Sequence, residues 1–163
     1  MKKITITLTF VLITFVAVTA QPRAIGARLT YGLSVSYQHY LNDRGFIQAD
    51  LDIPWFYGVG VAGTYNWIIA QPQWGNSGSW DFYAGVGLAG GGYLFRGWNM
   101  GYAGVAGNIG LSYTFDFPLQ IAIEERPILG ARFGNSYFGW WGGTGRVGLY
   151  LDFYPALAIR YAF

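Results

Sequence analysis

Asp50 and Asp52 stand two residues apart, and so do Glu124 and Arg126. In an extended chain that spacing puts both side chains on one face. Two carboxylates on a face are the raw material of general acid–base hydrolysis. They are also what any strand produces by its pleat alone, because residues i and i+2 always share a face. A second chemistry is mutual neutralisation: with Arg28, Asp81, Arg132 and Arg160 these residues supply carboxylates and guanidinium forks that can pair. The chain has a single histidine, His39. A Ser–His–acid hydrolase needs a serine hydroxyl within hydrogen-bond reach of the ring and an acid to orient it. Tyr37 and Leu41 share the face of His39, whereas Ser34 and Ser36 point to the other side, which leaves only a serine from a neighbouring strand. Gly58-Val59-Gly60-Val61-Ala62-Gly63 and Gly85-Val86-Gly87-Leu88-Ala89-Gly90 both match the G-x-G-x-x-G pattern. That pattern binds a dinucleotide only where a strand precedes the glycines and a helix follows. No helical period follows either one, so no nucleotide is expected. With no Cys there is no thiol nucleophile, no disulfide and no Cys-ligated metal. The expectation is no catalytic residue, no metal and no cofactor.

The elements that would position these residues are alternating strands. From Ile25 to Tyr40 the odd positions carry Ile25, Leu29, Tyr31, Leu33, Val35 and Tyr37, and the even ones carry Arg28, Ser34, Ser36 and Gln38. The run is too long for one membrane strand of about 9–11 residues, so a split at Tyr31-Gly32 gives two. Asn42-Asp43-Arg44-Gly45 reads as a turn. Phe46–Ile53, Val59–Trp67, Trp80–Leu94 and Val105–Phe115 alternate in turn, with Gln71–Ser79 as a loop and Arg96-Gly97-Trp98-Asn99 as a turn. Trp55-Phe56-Tyr57 clusters aromatics at a strand end. After the connection at Asp116-Phe117-Pro118, Leu119, Ile121 and Ile123 alternate with Gln120, Ala122, Glu124 and Arg126. Residues 134–150 read as a long loop. The last strand, Ala156–Phe163, puts Leu157, Ile159, Tyr161 and Phe163 on one face. The count is eight. An alternative keeps residues 25–40 as one strand and takes Val147–Phe153 as the seventh.

Composition says what surrounds these strands. Charged residues are 11% of the chain and aromatics 20%, against roughly 25% charge in a soluble domain. A basic start at Lys2-Lys3, an apolar run to Val18 and the small-residue site Val18-Thr19-Ala20 predict a cleaved signal peptide over residues 1–20. Its apolar run is too short to span a membrane. Both lysines leave with it, so of ten basic residues eight arginines remain against eight acids. A near-neutral domain over residues 21–163 gives no field that would attract nucleic acid. Beyond residue 20 no apolar stretch of about 18 residues exists, which excludes helical spans. Apolar composition without apolar runs predicts an all-β fold: an antiparallel eight-stranded transmembrane β-barrel, apolar side out and polar side in. So narrow a lumen holds side chains, and small inward glycines let the opposite wall fill it. Arg28, Asp50, Asp52, Glu124, Arg126 and Arg160 are then expected to form an ion-pair network in the lumen rather than a conducting path.

Three blocks carry a resemblance. Phe115-Asp116-Phe117-Pro118-Leu119-Gln120-Ile121-Ala122-Ile123-Glu124-Glu125-Arg126-Pro127, the strand Ala24-Ile25-Gly26-Ala27-Arg28-Leu29, and the aromatic-ended final strand resemble segments of small bacterial outer-membrane β-barrels, most of them uncharacterised. One departure is Glu125, on the lipid-facing parity where that group usually has an aromatic. The resemblance implies location in the bacterial outer membrane, contact with its lipid, and recognition of Tyr161 and Phe163 by the barrel-assembly machinery. Phe163 would then lie at the periplasmic end and the 134–150 loop outside the cell. Tyr137, Phe138, Trp140 and Trp141 in that loop become candidate contacts for an extracellular partner. The implied role is non-enzymatic, structural or surface-interacting. The alternatives are a lipid-A acyl hydrolase, which other outer-membrane barrels resemble, and a narrow pore.

Overall fold

The structure, a computed structural model, describes residues 22–54, 57–75, 77–95, 98–134 and 147–163. Ten strand segments follow one another: β1 (Arg23–Leu29), β2 (Gly32–Asn42), β3 (Gly45–Pro54), β4 (Gly58–Ala70), β5 (Ser79–Phe95), β6 (Trp98–Thr114), β7 (Gln120–Glu125), β8 (Pro127–Gly134), β9 (Val147–Phe153) and β10 (Ala156–Ala162). All pairings are antiparallel. β7 and β8 lie end to end along β6 in one unbroken register, since Ile109 faces Glu125 and Ala106 faces Ile128. β9 and β10 likewise continue one another along β8 and β7. The ten segments therefore make eight staves, and β10 pairs with β1 to close the barrel.

Closure fixes the geometry. Stepping through paired residues from Ala162, the circuit visits Ala24, Gln38, Gln48, Thr64, Gly87, Ala106, Ile128 and Asp152. It returns to the last stave ten residues above its start, from Ala162 to Asp152. That stagger makes the strands tilt by about 40°. All eight staves end near one level at the end holding Pro22 and Phe163. At the other end they do not. β1 turns into β2 at Thr30-Tyr31, whereas β5 and β6 run 17 residues each. The wall of β5, β6, β8 and β9 stands roughly 10–15 Å above the β1–β2 rim.

The core is polar and the surface apolar. Among the described residues 17 polar or charged side chains are buried, against 13 hydrophobic ones. The exposed large hydrophobics within strands, such as Ile25, Val35, Ile47, Val61, Leu88 and Ile159, sit on the outward parity.

Three boundaries differ from what the sequence predicts. The seventh stave does not stop at Arg126, the last residue named for it, but runs through Pro127 to Gly134. The eighth begins at Val147, so Val147–Tyr150 is strand and not loop. β6 begins at Trp98, inside the stretch read as a turn. The physical reason at Pro127 is local. Its odd-numbered position turns toward β6, where the missing N–H costs a ladder bond and interrupts the strand for a single residue. The facing residue is Gly107, and its lack of a side chain leaves room for the proline ring, whose Cγ would otherwise sit 3.0 Å from a Cβ.

Candidate functional site: an ion-pair network across the lumen

The even-numbered positions of β1, β3, β10 and the stave that β7 and β8 share all point inward, which aims six charged side chains into the lumen, Arg126 from the junction of β7 and β8. Arg28, Asp50, Asp52, Glu124, Arg126 and Arg160 are each at most 5% exposed. The structure brings all six together. Arg28 donates from Nε to Glu124 Oε2 at 2.6 Å and from Nη1 to Asp50 Oδ2 at 3.2 Å. Arg126 spans to β3, donating to Asp50 Oδ2 at 2.8 Å and from its other terminal nitrogen to Asp52. Arg160 donates to Glu124 Oε1 at 2.6 Å. Three guanidinium groups meet three carboxylates, so the cluster is neutral as a whole, as buried charge must be to persist.

Neutral donors complete it. Tyr83 donates its hydroxyl to Glu124 Oε1, and Gln48 donates to Asp50 and Glu124. Ser34 donates to Asp52 at 2.6 Å, while Arg160 also donates to Ser36 and Gln120. Glu124 thus accepts from four different residues on β1, β3, β5 and β10 and is the hub. The sequence places Ser34, Ser36, Gln38, Gln48 and Tyr83 on inward faces without revealing that they belong to this network. Parity was the available signal; the register between strands, which decides who meets whom, was not readable from it.

Aromatic layers bound the network on both sides. On the Pro22–Phe163 side, Phe46 packs between Tyr40 and Tyr83, with ring centroids 5.0 Å from each. Beneath it opens a vestibule of about 750 Å³, lined by Tyr40, Gln71, Asp81, Thr114 and Gln120 among others. On the far side Tyr102 stacks on Tyr150 at 4.4 Å, and the Tyr154 hydroxyl lies 2.9 Å from those of Tyr93 and Tyr150. The guanidinium of Arg126 sits 5.3 Å from the Tyr154 ring centre. Excluding water from both sides strengthens every pair between the layers.

The other sequence-predicted residues lie apart. Asp81 is buried in the vestibule and accepts from Gln71 at 2.8 Å; Arg132 is buried higher up, beside Gly148. Gly60 and Gly85, from the two glycine patterns, face the lumen. A Cβ on Gly60 would stand 2.7 Å from the Tyr102 hydroxyl, and one on Gly85 would overlap Asn66. His39 points outward. It faces Arg23 and Ile47 across its two neighbouring strands and stacks on Tyr37. Tyr161 and Phe163 also point outward and stack, 5.8 Å between centroids. The Phe163 backbone exchanges two hydrogen bonds with Arg23, at 2.7 and 2.8 Å, and so closes the seam. Glu125 keeps the outward parity, opposite Ile109, half-buried. Residues 1–20, with the signal-peptide prediction, and Tyr137, Phe138, Trp140 and Trp141 fall outside the described residues.

No family model, curated protein or solved structure matches this chain. The network's acids are all committed to guanidinium groups, and among the described residues no group of three or more His, Cys, Asp or Glu is placed to hold a metal ion.

Proposed function

We propose that this chain is an integral protein of a bacterial outer membrane: a barrel with a side-chain-filled lumen and a structural or surface-interaction role, not an enzyme. One observation carries the reading: the barrel is polar inside and apolar outside. A contiguous apolar surface running around all eight staves has no place in water, where exposed patches rarely exceed a few hundred Å². In a bilayer it is the face that matches the acyl chains. Closure supports the same reading, because only a barrel without edges satisfies every backbone group in hydrocarbon. The filled lumen argues against a pore. Arg126 and Arg28 cross it to reach β3 and β7, and tyrosine layers cap it. For the acyl-hydrolase reading no specific observation speaks: the cross-strand neighbours of His39 are Arg23 and Ile47.

The test is fractionation of expressing cells on a density gradient, with unheated and heated samples compared on gels. The expected result is a band in the outer-membrane fraction that migrates faster unheated than boiled. Recovery in the soluble periplasmic fraction would refute the reading. In planar bilayers, the refolded protein is expected to give no steady conductance.

A further inference from the structure

Asp81 is a buried acid that the ion-pair network leaves out. It is 6% exposed, on the inward face of β5, and lines the vestibule of about 750 Å³ at the end holding Pro22 and Phe163. The five ion pairs among the described residues all belong to Asp50, Asp52 and Glu124. Gln71 donates to Asp81 Oδ1 at 2.8 Å, and nothing among the described residues donates to Oδ2. A carboxylate taken out of water is costly until a positive charge or further donors meet it. Its surroundings offer acceptors instead. Tyr40 on β2 and Thr114 on β6 line the same vestibule, and their hydroxyl oxygens both accept from the Gln120 amide, at 3.2 and 3.4 Å. Thr114 is a diagonal neighbour of Asp81 on the inward face, because Asp81 pairs with Ser112. Oxygens from three staves, one of them charged, therefore line one cavity.

We propose that this vestibule binds a small aliphatic primary amine, its ammonium held by Asp81 and its carbon chain by the apolar wall. The acceptor set decides the class of ligand. An ammonium brings one positive charge and three N–H donors, which Asp81 Oδ2, Tyr40 and Thr114 can accept. A guanidinium pairs best with both oxygens of a carboxylate, and Gln71 already holds one of them. A calcium or magnesium ion takes about six oxygens, and among the described residues no group of acids is placed to supply them. An anion meets the wrong charge, since Asp81 and Asp43 line the cavity against one arginine, Arg23, whose position has outward parity. Ala24, Ile68 and Ala162 supply the aliphatic wall. The volume falls within the range of small-molecule sites, about 300–1,000 Å³. Phe46, packed between Tyr40 and Tyr83, separates the cavity from the ion-pair network, so binding there leaves the lumen filled.

The test uses the folded barrel in detergent micelles, so it does not depend on where the protein resides in the cell. The probe is cadaverine, a linear aliphatic diamine whose charges keep it out of the micelle, titrated by calorimetry. Saturable binding at one site per barrel is expected. Asp81→Asn keeps the shape, removes the charge and should weaken binding about tenfold or more. The same diamine methylated to two trimethylammonium groups keeps its charge and loses every N–H donor. It should bind the unaltered barrel about tenfold more weakly, which keeps the test independent of how the variant folds. Magnesium chloride should not displace cadaverine. Absence of saturable binding overturns the proposal, and so does unchanged affinity in a folded Asp81→Asn barrel. Equal binding of the methylated diamine would reduce the site to diffuse negative charge, and displacement by magnesium would make it a metal site; either result overturns the proposal as well.

Discussion

Glu124 is the residue on which the lumen depends. It accepts from Arg28, Arg160, Tyr83 and Gln48 at once. Glu124→Gln removes the charge and keeps the shape, leaving two guanidinium groups without their main counter-charge. The expected loss is about 3–5 kcal/mol, read as a lower urea midpoint for the barrel folded into vesicles. Tyr83→Phe removes one donor to a carboxylate and is expected to cost less, about 1.5–3 kcal/mol. Gln73→Ala in the exposed β4–β5 loop is the control and should leave the midpoint unchanged. Glu125, one position on, predicts the opposite sign. It faces outward from an apolar wall, and its Oε1 is shielded from solvent with no hydrogen-bond partner among the described residues. Glu125→Phe should stabilise the barrel by about 1–2 kcal/mol, read as a higher urea midpoint. Adjacent residues with opposite outcomes follow from the pleat alone.

At the scale of the strand, period two was legible and strand ends were not. Every inward charge named from the sequence is buried, because a single apolar face fixes the parity of a whole strand. The glycine patterns on β4 and β5 were legible for the same reason, as small inward residues within strands. What failed was punctuation. Pro127 reads as a stop, yet β6 carries the stave past it, opposite Gly107. Pro155 sits where β1 has already ended, so its missing N–H has no ladder bond to lose. Val147–Phe153 was legible as a strand only in the alternative count, which made it the seventh, whereas it begins the eighth stave. Tyr154, in neither predicted strand nor turn, proves central to the upper aromatic layer. Element-level packing gives a paired prediction. A Cβ on Gly110 would overlap the Tyr83 ring, whereas one on Gly63 would meet nothing within 4 Å. Gly110→Ala should therefore cost about 1–3 kcal/mol from overpacking, while Gly63→Ala should be neutral or slightly stabilising. Equal effects on the urea midpoint would mean the lumen is less filled than described.

For the molecule as a whole, the outward apolar face and the polar interior form one statement about solvent. Closure by the Arg23–Phe163 seam removes the edges along most of the barrel, and the network fixes what the narrow lumen holds. Deleting Phe163 removes both seam bonds and is expected to lower the yield of folded barrel, measured as the fast-migrating unheated band. The central claim is that the outward parity faces hydrocarbon and the inward parity does not. Because the sequence has no cysteine, single-cysteine spin labels can test it position by position on β4. In lipid vesicles, labels at Val59, Val61 and Trp67 should be relaxed strongly by dissolved oxygen and weakly by a polar nickel chelate. Labels at Gly60, Ala62 and Thr64 should respond weakly to both. A chelate response at Val59, Val61 and Trp67 equal to that of a fully aqueous site, such as Gln73 in the β4–β5 loop, would put the apolar face in water and contradict the account.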